Sequence, residues 1–390
     1  MRLSVGIVSL EYPPLCYGGC AVAFSNLANA LADRGSEIRV VCGTSGKQTF
    51  IEENNNLKIL RVPSVFPHFL SFQLRAAPLM GFLNECDVII GPYESSSVSM
   101  LLTQKLGKKW VALVHAIPRL DMKALASTSL RTWTGKDMLH HTIGFPLREA
   151  VFRLGLSEAD HLIVNTTSAL QILKSQYDVN ASTVTVIPTG VDIEEIEDVR
   201  RSSSGRMSRP EIIYVGRLIS GKGIQYAISA VRHLVKKNPE IVLKICGNGP
   251  VRNKLRNYAR KLGIEKNVQF LGQISHRNVL FQILTSDLLV FPSLQEAGTS
   301  NAVVEAMAVG KPIVAFGFPF NEESVVHGLT GLLTPPGNVP AFSNSIETLL
   351  SDKSLADRMS ACARKEAREK NDMKIVCQKY LDLFKLVKEI

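Results

Sequence analysis

The sequence predicts an α/β protein with two domains, each containing a parallel sheet covered by helices. Short apolar runs that suit buried strands alternate with amphipathic segments, a pattern typical of parallel sheets. This alternation occurs twice, and a polar stretch at residues 202–210 separates the two series. The length of 390 residues agrees with this division, since domains hold roughly 100–200 residues. We therefore expect two parallel-sheet domains.

The first series begins close to the N-terminus. Its apolar runs are Leu3–Leu10, Ile38–Cys42, Val88–Gly91, Trp110–Val114, His161–Val164 and Val184–Ile187. An amphipathic helix is predicted over Ala21–Arg34, because Gly35 directly after it suits a C-cap.

The second series follows the polar stretch, which we interpret as a linker. Its apolar runs are Glu211–Val215, Val242–Cys246, Val268–Leu271, Leu288–Phe291 and Pro312–Ala315. From about Val339 to Ile390 the pattern predicts helices alone. The predicted division is therefore 1–190 for the first domain, 191–370 for the second and 371–390 for a C-terminal helix.

Composition narrows the class of protein. Apolar residues make up 45% of the chain, enough for packed cores and too many for general disorder. The seven cysteines are odd in number and lack C-x-x-C spacing, so we expect neither a metal site nor a disulfide framework. Cys42, Cys86 and Cys246 adjoin apolar runs and are predicted to be core residues.

The start of the chain could be mistaken for a secretory signal. Its apolar run is followed at once by Glu11-Tyr12-Pro13-Pro14, without a small-residue cleavage site, so a first strand explains it better. No apolar run approaches the roughly 18 residues of a membrane-spanning helix. We therefore expect a cytoplasmic protein. The formal net charge of +10 favours anionic partners: phosphorylated ligands, nucleic acid or an acidic membrane surface.

The first candidate motif is Pro13-Pro14 with Gly18-Gly19, between a predicted strand and a predicted helix. Ligands of open α/β sheets bind at the carboxyl ends of strands, where glycines let the backbone approach a phosphate or sugar. A plain turn explains the glycines equally well. The pattern is not the G-x-G-x-x-G of dinucleotide enzymes.

The second candidate motif places two cations after the first strand of the second series. Arg217 and Lys222 are five residues apart in a loop that contains Gly216, Gly221 and Gly223. A guanidinium offers a planar fork to phosphate oxygens and an ammonium offers a point charge. Together they could neutralise a diphosphate, although solvated surface cations are the alternative. The position after a strand favours the phosphate interpretation.

The third candidate motif lies after the run Leu288–Phe291. Gly298 with Thr299 or Ser300 suits a helix start, whose free amide groups could hold a phosphate. Glu305 then falls inside an apolar helix, where a carboxylate needs a hydrogen-bonding partner. Ribose hydroxyls would serve, and a nearby Lys or Arg is the alternative.

Two further features have weaker signals. His115 follows the run Trp110–Val114, at the carboxyl end of a predicted strand. A lone histidine is more often structural, but this position favours a place in a cleft between the domains. The turn at Gly247-Asn248-Gly249-Pro250 follows another strand, and a ligand role and a mere connection are equally compatible with it.

Taken together, the motifs resemble the family of GT-B retaining glycosyltransferases known as family four, which includes glycogen synthases and many bacterial and archaeal lipid and polysaccharide transferases. The matching pieces occur in the family's order over nearly the whole chain. They are Pro13-Pro14 with Gly18-Gly19, Leu27 to Gly35, His115, Val186 to Asp192, Val215-Gly216-Arg217 with Lys222-Gly223, Gly247 to Pro250, Glu296 to Ala308, and Gly310-Lys311-Pro312.

The resemblance implies two Rossmann-like domains facing each other across a cleft, together with a nucleotide-sugar donor and an acceptor bound by the first domain. It implies that the last helix crosses back to the first domain, and that no cofactor or metal ion is needed. The donor-binding residues that it implies are Gly18, Gly19, Gly216, Gly247, Gly249, Gly298, Thr299, Ser300, Asn301 and Glu305. The catalytic residues that it implies are His115, Arg217, Lys222 and Glu296.

The individual roles also follow from the resemblance. His115 and Glu296 would contact the sugar, and Glu305 would hold the ribose. Arg217 and Lys222 would stabilise the departing diphosphate in place of a metal ion. Because no nucleophile is evident, front-side attack is expected, with the leaving diphosphate helping to take the acceptor proton.

The sequence departs from the family pattern at two places. Thr189 stands where Asn is usual, a change expected to be mild. Eight residues rather than the usual seven separate Glu296 from Glu305. Counting back from Glu305 keeps the family spacing as far as Gly298, so the surplus residue is predicted to be Ala297. Glu296 is then displaced, or restored by a bulge at Ala297-Gly298.

The acceptor is less well defined. The stretch Pro63–Leu83 contains Phe66, Phe69, Phe72 and Phe82, and the stretch Arg119–Arg153 carries six Lys and Arg residues against three acids. Such a combination suits a lipid-linked acceptor or an anionic membrane surface, and thus peripheral association with the cytoplasmic face of the membrane. A core helix with a solvated face is an equally good explanation.

Three rival functions differ in class. A sugar-nucleotide epimerase of the same fold would need no acceptor pocket and usually lacks the Arg217 and Lys222 pair. A non-catalytic binding protein is a second rival, against which the charged diphosphate site argues. Nucleic-acid binding would explain the net charge, but no recognised motif supports it, and we expect no nucleic-acid partner.

Overall fold

The computed structural model describes residues 3–16, 19–64, 68–93, 107–120, 144–202, 209–294 and 298–389. These residues form two compact units. The first contains the described residues of 1–119, 135–190 and 373–390, and the second contains those of 120–134 and 191–372. The second unit therefore ends two residues beyond the predicted boundary at 370.

The first unit is built on an eight-stranded sheet with the order β3-β4-β2-β1-β5-β6-β7-β8. All neighbours pair in parallel except β3, which is antiparallel to β4. The strands are β1 (Ser4–Ser9), β2 (Glu37–Thr44), β3 (Phe50–Asn54), β4 (Leu57–Pro63), β5 (Val88–Pro92), β6 (Lys109–Val114), β7 (His161–Val164) and β8 (Val184–Val186). The described helices are α1 (Gly19–Asp33), α2 (His68–Ala76), α3 (Phe145–Glu158) and α4 (Thr167–Tyr177), with α13 (Met373–Glu389) from the end of the chain.

Helix α1 shows how local sequence sets an element's limits. Its apolar residues recur at helical spacing and are buried: Ala21, Phe24, Leu27, Ala28 and Leu31. After the helix, Gly35 adopts a left-handed conformation with φ of 85°. The amide of Ser36 donates to the carbonyl of Leu31, and that of Gly35 to the carbonyl of Ala32. The predicted glycine C-cap is confirmed.

Helix α13 completes the core of the first unit. Tyr380, Leu383, Phe384 and Val387 are buried in the same apolar cluster as the residues of α1. At the two ends of α13, the guanidinium of Arg34 donates to the Lys374 carbonyl at 2.6 Å, and Lys388 Nζ lies 2.7 Å from Asp87 Oδ1. The last helix therefore packs on the first unit although it follows the second in sequence.

The second unit is built on a six-stranded parallel sheet with the order β11-β10-β9-β12-β13-β14. Its strands are β9 (Glu211–Val215), β10 (Val242–Cys246), β11 (Val268–Gly272), β12 (Leu288–Phe291), β13 (Ile313–Phe316) and β14 (Gly331–Thr334). Its described helices are α5 (Ile193–Arg201), α6 (Ile224–Val235), α7 (Arg252–Lys261), α8 (His276–Thr285), α9 (Asn301–Val309), α10 (Pro319–Ser324), α11 (Val339–Ser351) and α12 (Lys353–Lys370).

The predicted strands are confirmed to within two residues at each end, but three strands were missed. Strand β3 is exposed throughout, so it lacks the apolar alternation on which the prediction relied. Strand β4 carries Lys58 and Arg61, which interrupt its apolar run. Strand β14 has only two successive apolar residues, Leu332 and Leu333, between a glycine and a threonine, so it lacks an apolar run. The burial of Cys42, Cys86 and Cys246 is confirmed.

None of the described helices combines the length and apolar character needed to cross a bilayer.

We expect Phe384→Ala to lower the free energy of unfolding by about 3–5 kcal/mol, because it removes a fully buried ring from the shared core. Leu386→Ala on the same helix is the matched control, since Leu386 is 54% exposed. Its effect should stay within about 0.5 kcal/mol. Urea unfolding followed by circular dichroism measures both values, and similar losses for the two variants would contradict the docking of α13.

Candidate functional site

The predicted donor residues of the second unit lie on loops that follow parallel strands. Gly216, Arg217 and Lys222 follow β9, Gly247 and Gly249 follow β10, and residues 292–301 follow β12. Strand β9 pairs directly with both β10 and β12. Because the carboxyl ends of parallel strands meet at one edge of a sheet, the three loops are neighbours there.

Backbone hydrogen bonds join these loops. The amide of Leu218 donates to the carbonyl of Asn248 at 2.9 Å, and the amide of Val251 donates back to Leu218 at 3.2 Å. The amide of Leu294 donates to the carbonyl of Gly221 at 2.9 Å. The loop after β9 is thus hydrogen-bonded on both sides, and we call the three joined loops the donor-edge layer (residues 216–223, 247–251 and 292–294).

Two glycines permit this close packing. Gly223 has φ of 66°, and a Cβ atom there would lie 1.9 Å from the carbonyl oxygen of Pro292. Gly247 has φ of 139°, and a Cβ atom there would lie 1.9 Å from the carbonyl oxygen of Gly216. Any side chain at either position would separate the loops. The glycine motifs therefore have a structural cause, and their presence alone does not indicate a ligand.

The two predicted cations lie on the central loop of the donor-edge layer. Arg217 is exposed, and the hydroxyl of the fully buried Tyr214 donates to its carbonyl at 3.1 Å, which holds the loop to the strand. Lys222 is half-buried and ends a 3-10 turn, Ser220–Lys222. Helix α6 begins directly afterwards, so its positive N-terminal end adds to the two charges. The structure puts both cations between a strand end and a helix start, as the sequence indicated.

The helix start after β12 is confirmed. Ser300 is the N-cap of α9, Asn301 is its first residue, and Gly298 is buried beside them. The side chain of Ser300 does not cap the helix, and the Thr299 and Ser324 hydroxyls lie 2.9 Å apart. Glu296 and Ala297 fall outside the described residues, so the position of the surplus residue stays a prediction.

Glu305 has a partner that the sequence analysis did not consider. Its side chain is 7% exposed, and its Oε1 atom lies 2.9 Å from Nε2 of His276. On the other side of the ring, Nδ1 of His276 lies 3.2 Å from Oε2 of Glu195. The sequence analysis gave a lysine or arginine as the alternative partner of Glu305. That alternative is wrong, because the imidazole of His276 takes this place.

These contacts determine the charge of the histidine. Burial alone would lower the pKa of His276, but its hydrogen bonds to Glu195 and Glu305 and their charges outweigh burial and raise the pKa from 6.5 to about 10. The hydrogen bond from His276 in turn lowers the pKa of Glu195. Around neutral pH the ring is therefore an imidazolium that donates from both nitrogens.

Two signals could have revealed this group from the sequence. His276 follows β11 at the same sheet edge and comes directly after Ser275, the N-cap of α8. Glu195 is the third residue after Asp192, whose carboxylate caps α5 by accepting from the amide of Glu195 at 3.0 Å. The spacing of Asp192 and Glu195 matches a capping box, which places Glu195 in the first turn.

In the first unit, Gly19 opens α1 after the loop that follows β1, and His115 comes directly after β6. Gly18 lies outside the described residues. The His115 ring is 5.9 Å from the ring of the fully buried Tyr93. The loop after β1 is also held by a residue of β4. The buried guanidinium of Arg61 donates to the Pro13 carbonyl at 2.7 Å.

The predicted acceptor stretches are only partly described. Phe72 is fully buried and belongs to the core, so it is not part of an aromatic surface. Arg119 and Arg153 both pair with Glu149 at 3.1 Å, which reduces their combined charge. Phe66 and residues 121–143 fall outside the described residues. Thr189, the departure noted above, accepts a hydrogen bond from Asn165 at 3.2 Å.

Among the described residues, no cluster of three or more His, Cys, Asp or Glu side chains could hold a metal ion.

Comparison with known families identifies both halves of the chain. Residues 195–366 match the family described as glycosyl transferases group 1. Residues 17–195 match the family described as glycosyltransferase family 4. The two matches adjoin at residue 195 and follow the division into two units.

Similarity to individual proteins extends over the whole chain. An uncharacterised glycosyltransferase of Methanocaldococcus jannaschii is 26% identical over 100% of this chain and 99% of its own. The solved sucrose-phosphate synthase of Thermosynechococcus elongatus has a TM-score of 0.80 at 20% identity, covering 99% of both chains. The Anabaena protein HepE, solved in complex with UDP-glucose, has a TM-score of 0.74 at 19% identity, covering 98% of this chain and 100% of its own.

The raised pKa of His276 predicts a specific dependence of stability on pH. Because the folded pKa exceeds the unfolded value, the stabilisation is complete below pH 6.5 and is lost as the pH rises to about 10. We expect His276→Gln to lower the free energy of unfolding most at low pH, with a difference from the unaltered protein that shrinks across this window. Urea titrations over the window measure it.

The control for this measurement is His233→Gln on the exposed face of α6. Its effect on the free energy of unfolding should stay within about 0.5 kcal/mol over the same pH range, the size usual for an exposed position. If the effect of His276→Gln were equally small, the charged contact with the two carboxylates would be wrong.

Proposed function

The chain belongs to the group 1 glycosyltransferases, and we propose that it moves a hexose-type sugar from a nucleoside-diphosphate sugar to a hydroxyl acceptor with retention of configuration. The observation that carries this proposal is the donor-edge layer of the second unit. It combines two cations, the start of α6 and closely packed glycine backbone on one hydrogen-bonded surface. This arrangement suits a diphosphate.

Charge stabilisation is the main chemical contribution in the proposed reaction. The bond between the anomeric carbon and the diphosphate oxygen breaks, and negative charge accumulates on the leaving diphosphate. Arg217 and Lys222 would balance this charge, and the amide groups at the start of α9, with Gly298 to Asn301, would hold the other phosphate oxygens. Such groups are most effective when they are fixed before the reaction, and the bonded loops provide that rigidity.

Glu305 is proposed to bind the ribose of the donor. A carboxylate has two oxygens with about four acceptor sites, so the bond from His276 leaves acceptor capacity for the hydroxyl groups. Glu305 lies five residues after the N-cap Ser300. At 1.5 Å per residue the separation along the axis is roughly 7–8 Å, about the span from a diphosphate to a ribose.

For the sugar itself, we propose contacts from His115 and Glu296, with Gly18 and Gly19 facing the donor. The acceptor hydroxyl would attack from the side of the leaving group, form the new bond to the anomeric carbon and lose its proton to the departing diphosphate. No metal or cofactor takes part in this scheme. UDP is the first nucleotide to test, because HepE is solved with UDP-glucose.

The acceptor is proposed to be a glycan or a lipid-linked hydroxyl compound. This proposal depends on the basic and apolar stretches of the first unit, of which Leu74 and Leu147 are exposed by 63% and 67%. Exposed apolar side chains next to arginines suit a peripheral position on an anionic membrane surface. Flotation with anionic vesicles, which salt should weaken, distinguishes this position from a freely diffusing enzyme.

A nucleoside diphosphate should raise the melting temperature, because it binds the folded second unit and not the unfolded chain. At one hundred times the Kd the stabilisation is about 2.7 kcal/mol. The measurement is a thermal melt with UDP, GDP and ADP at millimolar concentration. Unchanged melting with all three would remove the main support for a nucleotide-sugar donor.

Lys222→Ala should reduce turnover by roughly a hundredfold or more, the loss expected for one fixed charge contact in the transition state. Its melting temperature should hardly change, because Lys222 is half-exposed and near a loop end. Lys236→Ala is the matched control, as this exposed lysine lies at the opposite end of α6. Sugar release from UDP-glucose gives the rates, and equal rates for both variants would make Lys222 a surface cation.

A further inference from the structure

The charged contact of His276 with Glu195 and Glu305 joins α5, α8 and α9, and its geometry suits a role in ligand binding as well as in stability. Helices α8 and α5 contribute His276 and Glu195 from their first turns, and α9 contributes Glu305. The same three helices pack against one another and contribute to one apolar cluster, together with strand residues of the second sheet. Their members of this cluster include Ile196, Val199, Leu280, Ile283, Val303, Val304 and Met307. The polar contact therefore joins three helices that also share apolar packing.

We propose that His276 is a positioning residue, which holds the Glu305 carboxylate in the orientation that accepts the two ribose hydroxyls, while Glu195 orients the imidazole. The inference depends on the ribose role of Glu305 stated under the proposed function. His276 itself does not touch the donor in this scheme.

The contact with His276 fixes the carboxylate end of the Glu305 side chain. A glutamate has three rotatable side-chain bonds, and the last of them has a broad preference. The contact of 2.9 Å between Oε1 and Nε2 selects one orientation of the carboxylate plane and so also places Oε2. Because this order exists before the nucleotide arrives, binding does not have to immobilise the side chain.

The second carboxylate fixes the ring. Without Glu195, the imidazole could rotate about its own side-chain bonds and release Glu305. Both ring nitrogens contact carboxylate oxygens, at 2.9 Å and 3.2 Å, so a doubly protonated ring satisfies both contacts at once. A neutral ring has only one N–H group, and its other nitrogen is an acceptor. One of the two carboxylates would then face an acceptor and have no donor from the ring.

The surrounding charges are consistent with this role. The ring faces Glu195 from α5 and Glu305 from α9, and Arg277 on α8 acts on Glu195. Arg277 also donates to the Ser202 hydroxyl at 3.3 Å. The imidazolium gives the buried Glu305 side chain a charged partner, and an unpaired carboxylate there would be costly. An ionised carboxylate is the form that accepts from two hydroxyls.

Two substitutions separate the two contacts of the ring. In His276→Gln, the side-chain amide nitrogen takes the place of Nε2 and keeps a donor towards Glu305. In His276→Asn, the shorter amide takes the place of Nδ1 and keeps a donor towards Glu195 alone. Both variants lose the charge and the ring, and they keep opposite contacts. Because Glu195 does not contact the donor in this scheme, a difference in ribose preference between them reports the contact with Glu305.

The readout is calorimetric affinity for two probes, UDP and 2′,3′-dideoxy-UDP. GDP or ADP with its dideoxy form replaces them if that nucleotide shifts the melting temperature more. The unaltered protein should prefer the ribose form by roughly tenfold or more, the value of a hydrogen bond to a charged group. Glu305→Ala is the reference for a lost ribose contact and should show no preference.

His276→Gln should keep the preference within about threefold, while His276→Asn should lose it by roughly tenfold without weakening the dideoxy probe. A residue that only stabilises the fold would weaken both probes equally or neither. If His276→Asn does not fold, Glu195→Ala carries the test, since it keeps both His276 and Glu305 but removes the contact that orients the ring. It should reduce the preference for the ribose form without weakening the dideoxy probe.

The outcomes distinguish this inference from the proposed function. If the unaltered protein binds none of the nucleotides, or binds ribose and dideoxy forms equally, the ribose role of Glu305 is wrong and the inference fails with it. If the unaltered protein and His276→Asn prefer the ribose form to the same degree, the proposed function stands and the positioning role of His276 is wrong.

Discussion

The close approach of three loop backbones at the carboxyl edge of the second sheet is the constraint on which the rest of the site depends. Carbonyl oxygens of Pro292 and Gly216 occupy the space where side chains of Gly223 and Gly247 would lie. Only glycine permits this contact, and the contact permits the hydrogen bonds that join the loops. Arg217 and Lys222 therefore stand on a surface that is fixed from both sides, as a site for a developing charge requires.

In both units, a buried charged side chain near the predicted site has a partner of opposite charge. In the second unit, the imidazolium of His276 lies between the carboxylates of Glu195 and Glu305, so the glutamate buried in α9 has a charged partner. In the first unit, Arg61 is buried beneath the loop after β1, where it pairs with Glu52 and donates to a backbone carbonyl. Each buried ion has a partner because desolvation without one would exceed the gain from packing. Both pairs also hold a segment that belongs to the predicted site.

The net charge of +10 can now be related to particular places. Arg217 and Lys222 contribute to it at the donor edge, where an anionic diphosphate would neutralise them. In contrast, Arg119 and Arg153 share Glu149, so the basic character of that stretch is partly cancelled within the protein. Composition alone indicated anionic partners, and the structure shows that part of the positive charge is offset by carboxylates within the first unit.

The sequence by itself determined most of the elements and their order, although it missed β3, β4 and β14. The alternating pattern, the C-cap at Gly35 and the start of α9 at Ser300 were predictable because each depends on residues within a turn or two of one another. The order of the motifs likewise indicated the family. The tertiary structure alone decided the partner of Glu305, which lies 29 residues away, and the burial of Arg61 against a carbonyl 48 residues away. Such contacts depend on how strands and helices are arranged in space, and local periodicity carries no information about that arrangement.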